Sequence, residues 1–121
     1  MDKLGLGRKM ERLVMARWVR DGYECWQPPR SKYSSQDLFG LFDFIALKPN
    51  NAVHLVQVKR HRVKEEETAL DAIEAFCRSM STPTLCSLVA WRRKGGMLQF
   101  QAKSYTLTGW DDTGDWTEAM E

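Results

Sequence analysis

The sequence predicts an α/β domain in which a mixed β-sheet lies between helices, and three observations carry that reading. Two stretches repeat apolar residues at helical spacing, five others read as strands, and the two kinds follow the order α-β-β-β-α-β-β. Pro49-Asn50-Asn51 separates two β-type runs and is a strong turn signal. The chain has 121 residues and no internal repeat or Pro/Gly-rich linker, so residues 1–121 are read as one domain with one core.

The first helix is expected from about Gly7 to Asp21, where Met10, Leu13, Val14, Met15, Trp18 and Val19 fall on one broad arc at 100° per residue. Gly22 stands where a C-terminal cap glycine belongs. Tyr23–Gln27 reads as a short strand stopped by Pro28-Pro29, and Arg30 to Ser35 as an exposed polar loop. Phe42–Lys48 and Val53–Arg60 form a hairpin. Glu65–Met80 is the second helix: Ala69, Leu70, Ile73, Phe76, Cys77 and Met80 share a stripe, and Glu65, Glu66 and Glu67 suit the positive end of its dipole. Thr84–Arg92 is an apolar strand, Lys94-Gly95-Gly96 a turn, and Met97–Leu107 a last strand or pair of short strands. The acidic, Trp-bearing tail Gly109–Glu121 fits neither template.

Composition narrows the function classes. With 43% hydrophobic and 28% charged residues the chain has the balance of a soluble globular protein. No apolar run reaches membrane-spanning length and the first residues lack a signal-peptide core, so an intracellular, cytoplasmic protein is expected. Cys25, Cys77 and Cys86 form no CxxC pair and read as reduced packing residues; His54 and His61 are too few for a zinc site. Charge is unevenly spread. Residues 1–64 hold 13 Lys/Arg against 6 Asp/Glu, net +7, and residues 65–121 hold 5 against 10, net −5. Such a split either gives one face a field able to hold a polyanion or mixes again in three dimensions.

Two placements point to chemistry. Glu11 falls near the middle of the apolar arc of the first helix, where a carboxylate is costly unless it is paired or near a metal; the alternative is an edge position reaching solvent or an arginine. In the hairpin, a compact turn at 49–51 pairs Leu47 with Val53, Ile45 with Leu55 and Asp43 with Gln57. Asp43 and Gln57 then stand on one face with Lys59 one step beyond, and their oxygens, with the Val58 carbonyl between, can share a hard cation such as Mg²⁺. A slip of one residue would separate them. Lys59 alone would be an ordinary strand-end charge.

These residues resemble a known family. Phe42-Asp43, thirteen residues, then Gln57-Val58-Lys59, with Glu11 on an upstream helix, is similar to the PD-(D/E)XK nuclease motif over roughly residues 7–62. Phe42 stands for the motif's proline and Gln57 for its acid, which removes one negative charge from the metal site. The resemblance implies a restriction-endonuclease-like fold and Mg²⁺-dependent phosphodiester hydrolysis, with Mn²⁺ a substitute. It implies Asp43, Gln57 and the Val58 carbonyl as metal ligands, Lys59 orienting the attacking water and stabilising the transition state, and Glu11 holding that water or taking its proton.

Within the superfamily the chain is most similar to archaeal-type Holliday junction resolvases. In these the loop after the first strand reaches DNA, which maps onto Arg30, Ser31 and Lys32; Arg8, Lys9, Arg12, Arg60 and Arg62 are further phosphate-contact candidates. A four-way junction is two-fold symmetric, so this reading expects branched DNA as partner and a homodimer, through apolar residues such as Trp91, Trp110 or Trp116. Two other classes stay open: a repair, restriction or phage nuclease on the same core, and a DNA-binding relative that lost catalysis through Gln57.

Overall fold

A computed structural model describes residues 3–28, 38–51, 53–80, 84–106 and 109–119. Its elements are α1 (Lys3–Arg20), β1 (Glu24–Trp26), β2 (Phe44–Leu47), β3 (Val53–Arg60), α2 (Val63–Ser79), β4 (Thr84–Lys94), β5 (Met97–Thr106) and β6 (Gly109–Ala119). The strands form one sheet in chain order, antiparallel throughout except for the parallel β3–β4 pair, which α2 connects. The expected mixed sheet between helices is what the chain adopts.

Alternation along the strands assigns the two faces. Val56, Val89 and Trp91 join Met10 and Val14 of α1 in one buried cluster, with Phe44, Leu98 and Phe100. Leu55, Cys86 and Leu88 join Ala69 and Ile73 of α2 in the other, with Phe42. Since neighbouring strand residues point to opposite faces, α1 and α2 cover opposite sides of the sheet. The three cysteines are free, and burial pushes each thiol upward in pKa, as packing residues should behave.

Three boundaries differ from expectation. The first helix begins a turn earlier, at Lys3, running through Gly5 and Gly7. Each glycine costs about 1 kcal/mol in a helix interior, but the extension lets Leu6 pack against the α1 cluster, and packing wins. The second helix starts at Val63, leaving Glu66 in its first turn and buried. Gly109–Ala119 of the tail is a strand. Its residues look unlike a strand because Thr113 is an extra residue between the Ala102–Gly114 and Lys103–Asp112 pairs. That bulge breaks the alternation that pattern reading depends on. Pairing to β5 holds the strand, with Trp116 stacked on Phe100 at 5.0 Å and Trp110 edge-on to Tyr105 at 5.3 Å.

The tryptophans expected at a dimer surface are therefore used within the chain. Trp91 is buried under α1, and Trp110 and Trp116 each pack against a core cluster. The most exposed large apolar side chains among the described residues are instead Phe39, Val63, Val19 and Trp26. No helix among the described residues is long and apolar enough to cross a membrane.

Candidate active site

The hairpin turn sets the site's register. Asn50 takes φ 62°, a conformation asparagine tolerates, and Asn51 Nδ2 donates to the Pro49 carbonyl at 2.9 Å. The strands then pair Ala46 with His54, Ile45 with Leu55 and Phe44 with Val56. The ladder ends at the Phe44–Val56 pair, one residue short of the expected Asp43–Gln57 pair.

At Asp43 the ladder changes character. Its backbone N–H still donates to the Val56 carbonyl at 2.8 Å, but the next amide of β3, Val58 N–H, donates to the Asp43 carboxylate Oδ2 at 2.7 Å. The side chain of Asp43 occupies the place a backbone carbonyl of β2 would take. An extended residue directs its N–H and C=O to the same strand edge, so the Val58 carbonyl also faces the β2 side, beyond the last ladder pair.

What holds Asp43 there is the segment before it. Phe42 N–H donates to the Leu38 carbonyl at 2.9 Å and Leu38 N–H to the Phe42 carbonyl at 2.8 Å, closing a tight turn over Phe39 and Gly40. Both central residues have positive φ, 55° and 68°. Glycine takes this freely; a phenylalanine does so at a cost of about 1–2 kcal/mol. Phe39 offsets the strain by packing its ring on Phe76 of α2 at 5.2 Å, beside Phe42 at the same distance. Backbone strain next to a polar buried residue is a common mark of functional sites.

Glu11 is buried, 7% exposed, on the sheet-facing side of α1, so the solvent-reaching alternative does not hold. Gln27, the residue after β1, donates from Nε2 to Glu11 Oε1 at 2.5 Å. Trp26 pairs with Ile45, and one further step sets Gln27 beside Phe44, next to Asp43. Two hydrogen-bonded pairs, Glu11 with Gln27 and Asp43 with Val58, thus stand at one end of the sheet. Sequence reasoning missed Gln27; the signal was a polar residue closing a strand just before Pro28-Pro29.

Gln57 and Lys59 share the strand face of Leu55, toward α2, and both are half-buried. Gln57 Oε1 is buried with no hydrogen-bond partner among the described residues. An orphaned buried carbonyl oxygen is rare, because it loses its water without replacement, and a cation is one of the few things that would satisfy it. Among the described residues no three His, Cys, Asp or Glu side chains converge on one point. The donor set at this end of the sheet is therefore one carboxylate, Asp43, with the neutral oxygens of Gln57 and Val58. That set suits a hard cation that keeps several waters, Mg²⁺ above all, and does not suit zinc.

The basic candidates divide. Arg8 and Arg12 are exposed one helical turn apart on α1, and Lys9 is half-buried. Arg60 points to the face opposite Lys59, its guanidinium 5.4 Å from the ring centre of Trp91. Arg62 is exposed at the start of α2 and pairs with Glu65 at 3.3 Å. Arg30, Ser31 and Lys32 lie outside the described residues. Compared with known proteins, the chain matches no family model, no curated protein and no solved structure.

Proposed function

We propose that this chain is a Mg²⁺-dependent, structure-selective DNA endonuclease of the PD-(D/E)XK superfamily with a restriction-endonuclease-like fold. The substrate we propose is a four-way junction, cut by a homodimer, as in archaeal-type Holliday junction resolvases. The observation that carries this reading is the interlock of Asp43 with Val58 N–H, next along β3 from Gln57 with its buried, unpartnered side-chain oxygen. The α-β-β-β-α-β order of the first six elements and the burial of Glu11 support it further.

The residues that would hold the cation are Asp43, Gln57 and, through its carbonyl, Val58. A divalent cation bound there supplies charge neutralisation at the scissile phosphate and acidifies a water. Val58 N–H fixes the Asp43 carboxylate before any ligand arrives, so little reorganisation is left for the reaction. Lys59, one alternate position beyond Gln57, brings a positive charge to the phosphoryl oxygens as they gain charge in the transition state. Gln27 orients Glu11 by binding Oε1, and the carboxylate so held accepts a proton from the attacking water.

Cleavage of labelled four-way, flap and linear duplex DNA with Mg²⁺ tests the reading. Paired cuts in the junction at a rate well above linear duplex are expected. Equal nicking of all three substrates would leave only a generic nuclease, and binding without cleavage would make the chain a DNA-binding relative disabled by Gln57.

A further inference from the structure

Among the described residues, the α2 face of the sheet is only partly covered. The helix lies over β3 and β4 and reaches β5 at its C-terminal end, where Arg78 Nε donates to the Tyr105 hydroxyl at 3.3 Å. The other end is left open as a concavity of about 590 Å³, lined by His61, Ala90, Arg92, Gln99, Gln101 and Asp115 among others. That is within the range of small-ligand sites, and its walls mix polar side chains with the apolar surface of Ala90, Phe100 and Trp116.

The strand register places this concavity beside the candidate catalytic lysine. One row across the sheet runs Lys59, Ala90, Gln101, Asp115, and the next runs Arg92, Gln99, Thr117, with His61 following β3 beside Arg92. Ala90 makes the hollow, because its methyl group is the smallest side chain in its row. Charge is graded along the rows. Arg92 and His61 stand at the β3–β4 end, the side-chain amides of Gln99 and Gln101 in the middle, and Asp115 at the β6 end. Two strand spacings, about 10 Å, separate β4 from β6.

The cationic end is built rather than loose. Arg92 Nε donates to Gln99 Oε1 at 2.8 Å, which fixes the guanidinium plane and leaves its terminal nitrogens for a bidentate anion. His61 is held twice: its backbone N–H donates to the Trp91 carbonyl at 2.7 Å, and its Nδ1 contacts the buried carboxylate of Glu66. Nε2 is the ring nitrogen that Glu66 leaves over.

We infer that this concavity binds one nucleotide of the cleaved strand, its phosphate at Arg92 and His61 and its base toward Gln101 and Asp115. The ligand must be anionic at one end and a hydrogen-bond donor at the other, and a nucleotide whose base carries an amino group meets both demands. The amides of Gln99 and Gln101 offer donors and acceptors to sugar and base edges, and Asp115 accepts from the amino group. A uniformly anionic ligand would meet Asp115 repulsively. This inference rests on the nuclease reading for its place in the reaction, but the binding itself can be measured without cleavage.

The test is an NMR titration of ¹⁵N-labelled full chain with dCMP, and in parallel with deoxyribose 5-phosphate, which has no base. With dCMP, resonances of Arg92, Gln99, Gln101 and Asp115 should move together; with the sugar phosphate only the Arg92 and His61 end should move. Asp115→Leu should weaken dCMP about tenfold, the size of one charge-assisted hydrogen bond removed, and leave the sugar phosphate unchanged. Arg92→Gln should weaken both. Both side chains are exposed, so these variants keep the fold. Absence of shifts in the concavity, or identical shifts with the two ligands, overturns the inference. If the wild type binds dCMP in this way but cuts no DNA, the nuclease reading fails and the nucleotide site stands.

Discussion

The Asp43 carboxylate accepts a hydrogen bond from the Val58 amide at 2.7 Å, so a side chain just before β2 closes the ladder where a backbone carbonyl would otherwise do so. The group proposed to hold a cation is thus also part of the sheet's hydrogen bonding. Asp43→Ala should leave that amide unsatisfied in a mostly buried site and cost about 1–3 kcal/mol. Asp43→Asn keeps an acceptor oxygen and should cost clearly less. Urea unfolding of the three proteins measures both; equal losses for Ala and Asn would show that the Val58 hydrogen bond contributes nothing.

Gln57→Glu adds a second carboxylate at the end of the sheet that holds Asp43. Without metal the variant should melt below the wild type, because the new charge is partly buried and near a like charge. Mg²⁺ should then raise its melting temperature more than it raises that of the wild type, since binding to the folded state adds to stability. The Mn²⁺ preference in cleavage should also shrink. Thermal melts with and without Mg²⁺ decide this, and identical metal shifts in the two proteins would remove Gln57 from the site.

His54 gives the fold a pH dependence unrelated to the site. Its ring packs against Trp18 and Tyr23, and burial lowers its pKa from the ordinary 6.5. Above pH 6.5 the ring is neutral in both folded and unfolded chains, and the folded state carries no penalty. As pH falls below 6.5 the unfolded chain takes up the proton first, so stability drops. His54→Phe should flatten the fall in urea midpoint between pH 7.5 and pH 5, measured against wild type. An unchanged slope would place the acid sensitivity elsewhere.

Arg8 and Arg12, exposed one turn apart, are the described basic pair best placed to meet phosphates on the α1 side. Replacing both with alanine should lower the slope of log affinity against log salt by about 0.9 for each duplex-arm phosphate that is no longer neutralised. Binding measured in Ca²⁺ over a range of salt tests this. A slope equal to the wild type would make both residues ordinary surface charge.

The parts of this architecture that are local were legible in the sequence. The Pro49-Asn50-Asn51 turn sets the hairpin register from Ala46–His54 to Phe44–Val56, and that register brings Asp43 to the edge of β3 at Val58. The helical period identified both helices and placed Glu11 on the buried arc. What was not legible is set by partners distant in sequence. Leu6 draws α1 past two glycines, the bulge at Thr113 hides β6, and Gln27 acquires its role only when β1 is laid beside β2. The tryptophans misled for the same reason: nothing local says that α1 covers Trp91 or that Phe100 receives Trp116. The neutral Gln57 was visible as a departure, but its buried, unpartnered oxygen needed the folded chain.

The measurement closest to the central claim is junction cleavage in Mg²⁺ by wild type, Asp43→Asn and Lys59→Ala, with junction binding measured in Ca²⁺ on the same preparations. Wild type should cut, EDTA should abolish cutting, and both variants should lose it by several orders of magnitude while binding the junction within a few-fold of wild type. Cleavage by Asp43→Asn or Lys59→Ala at near the wild-type rate, or full wild-type activity in EDTA, would contradict a metal-dependent centre built on Asp43, Gln57 and Lys59.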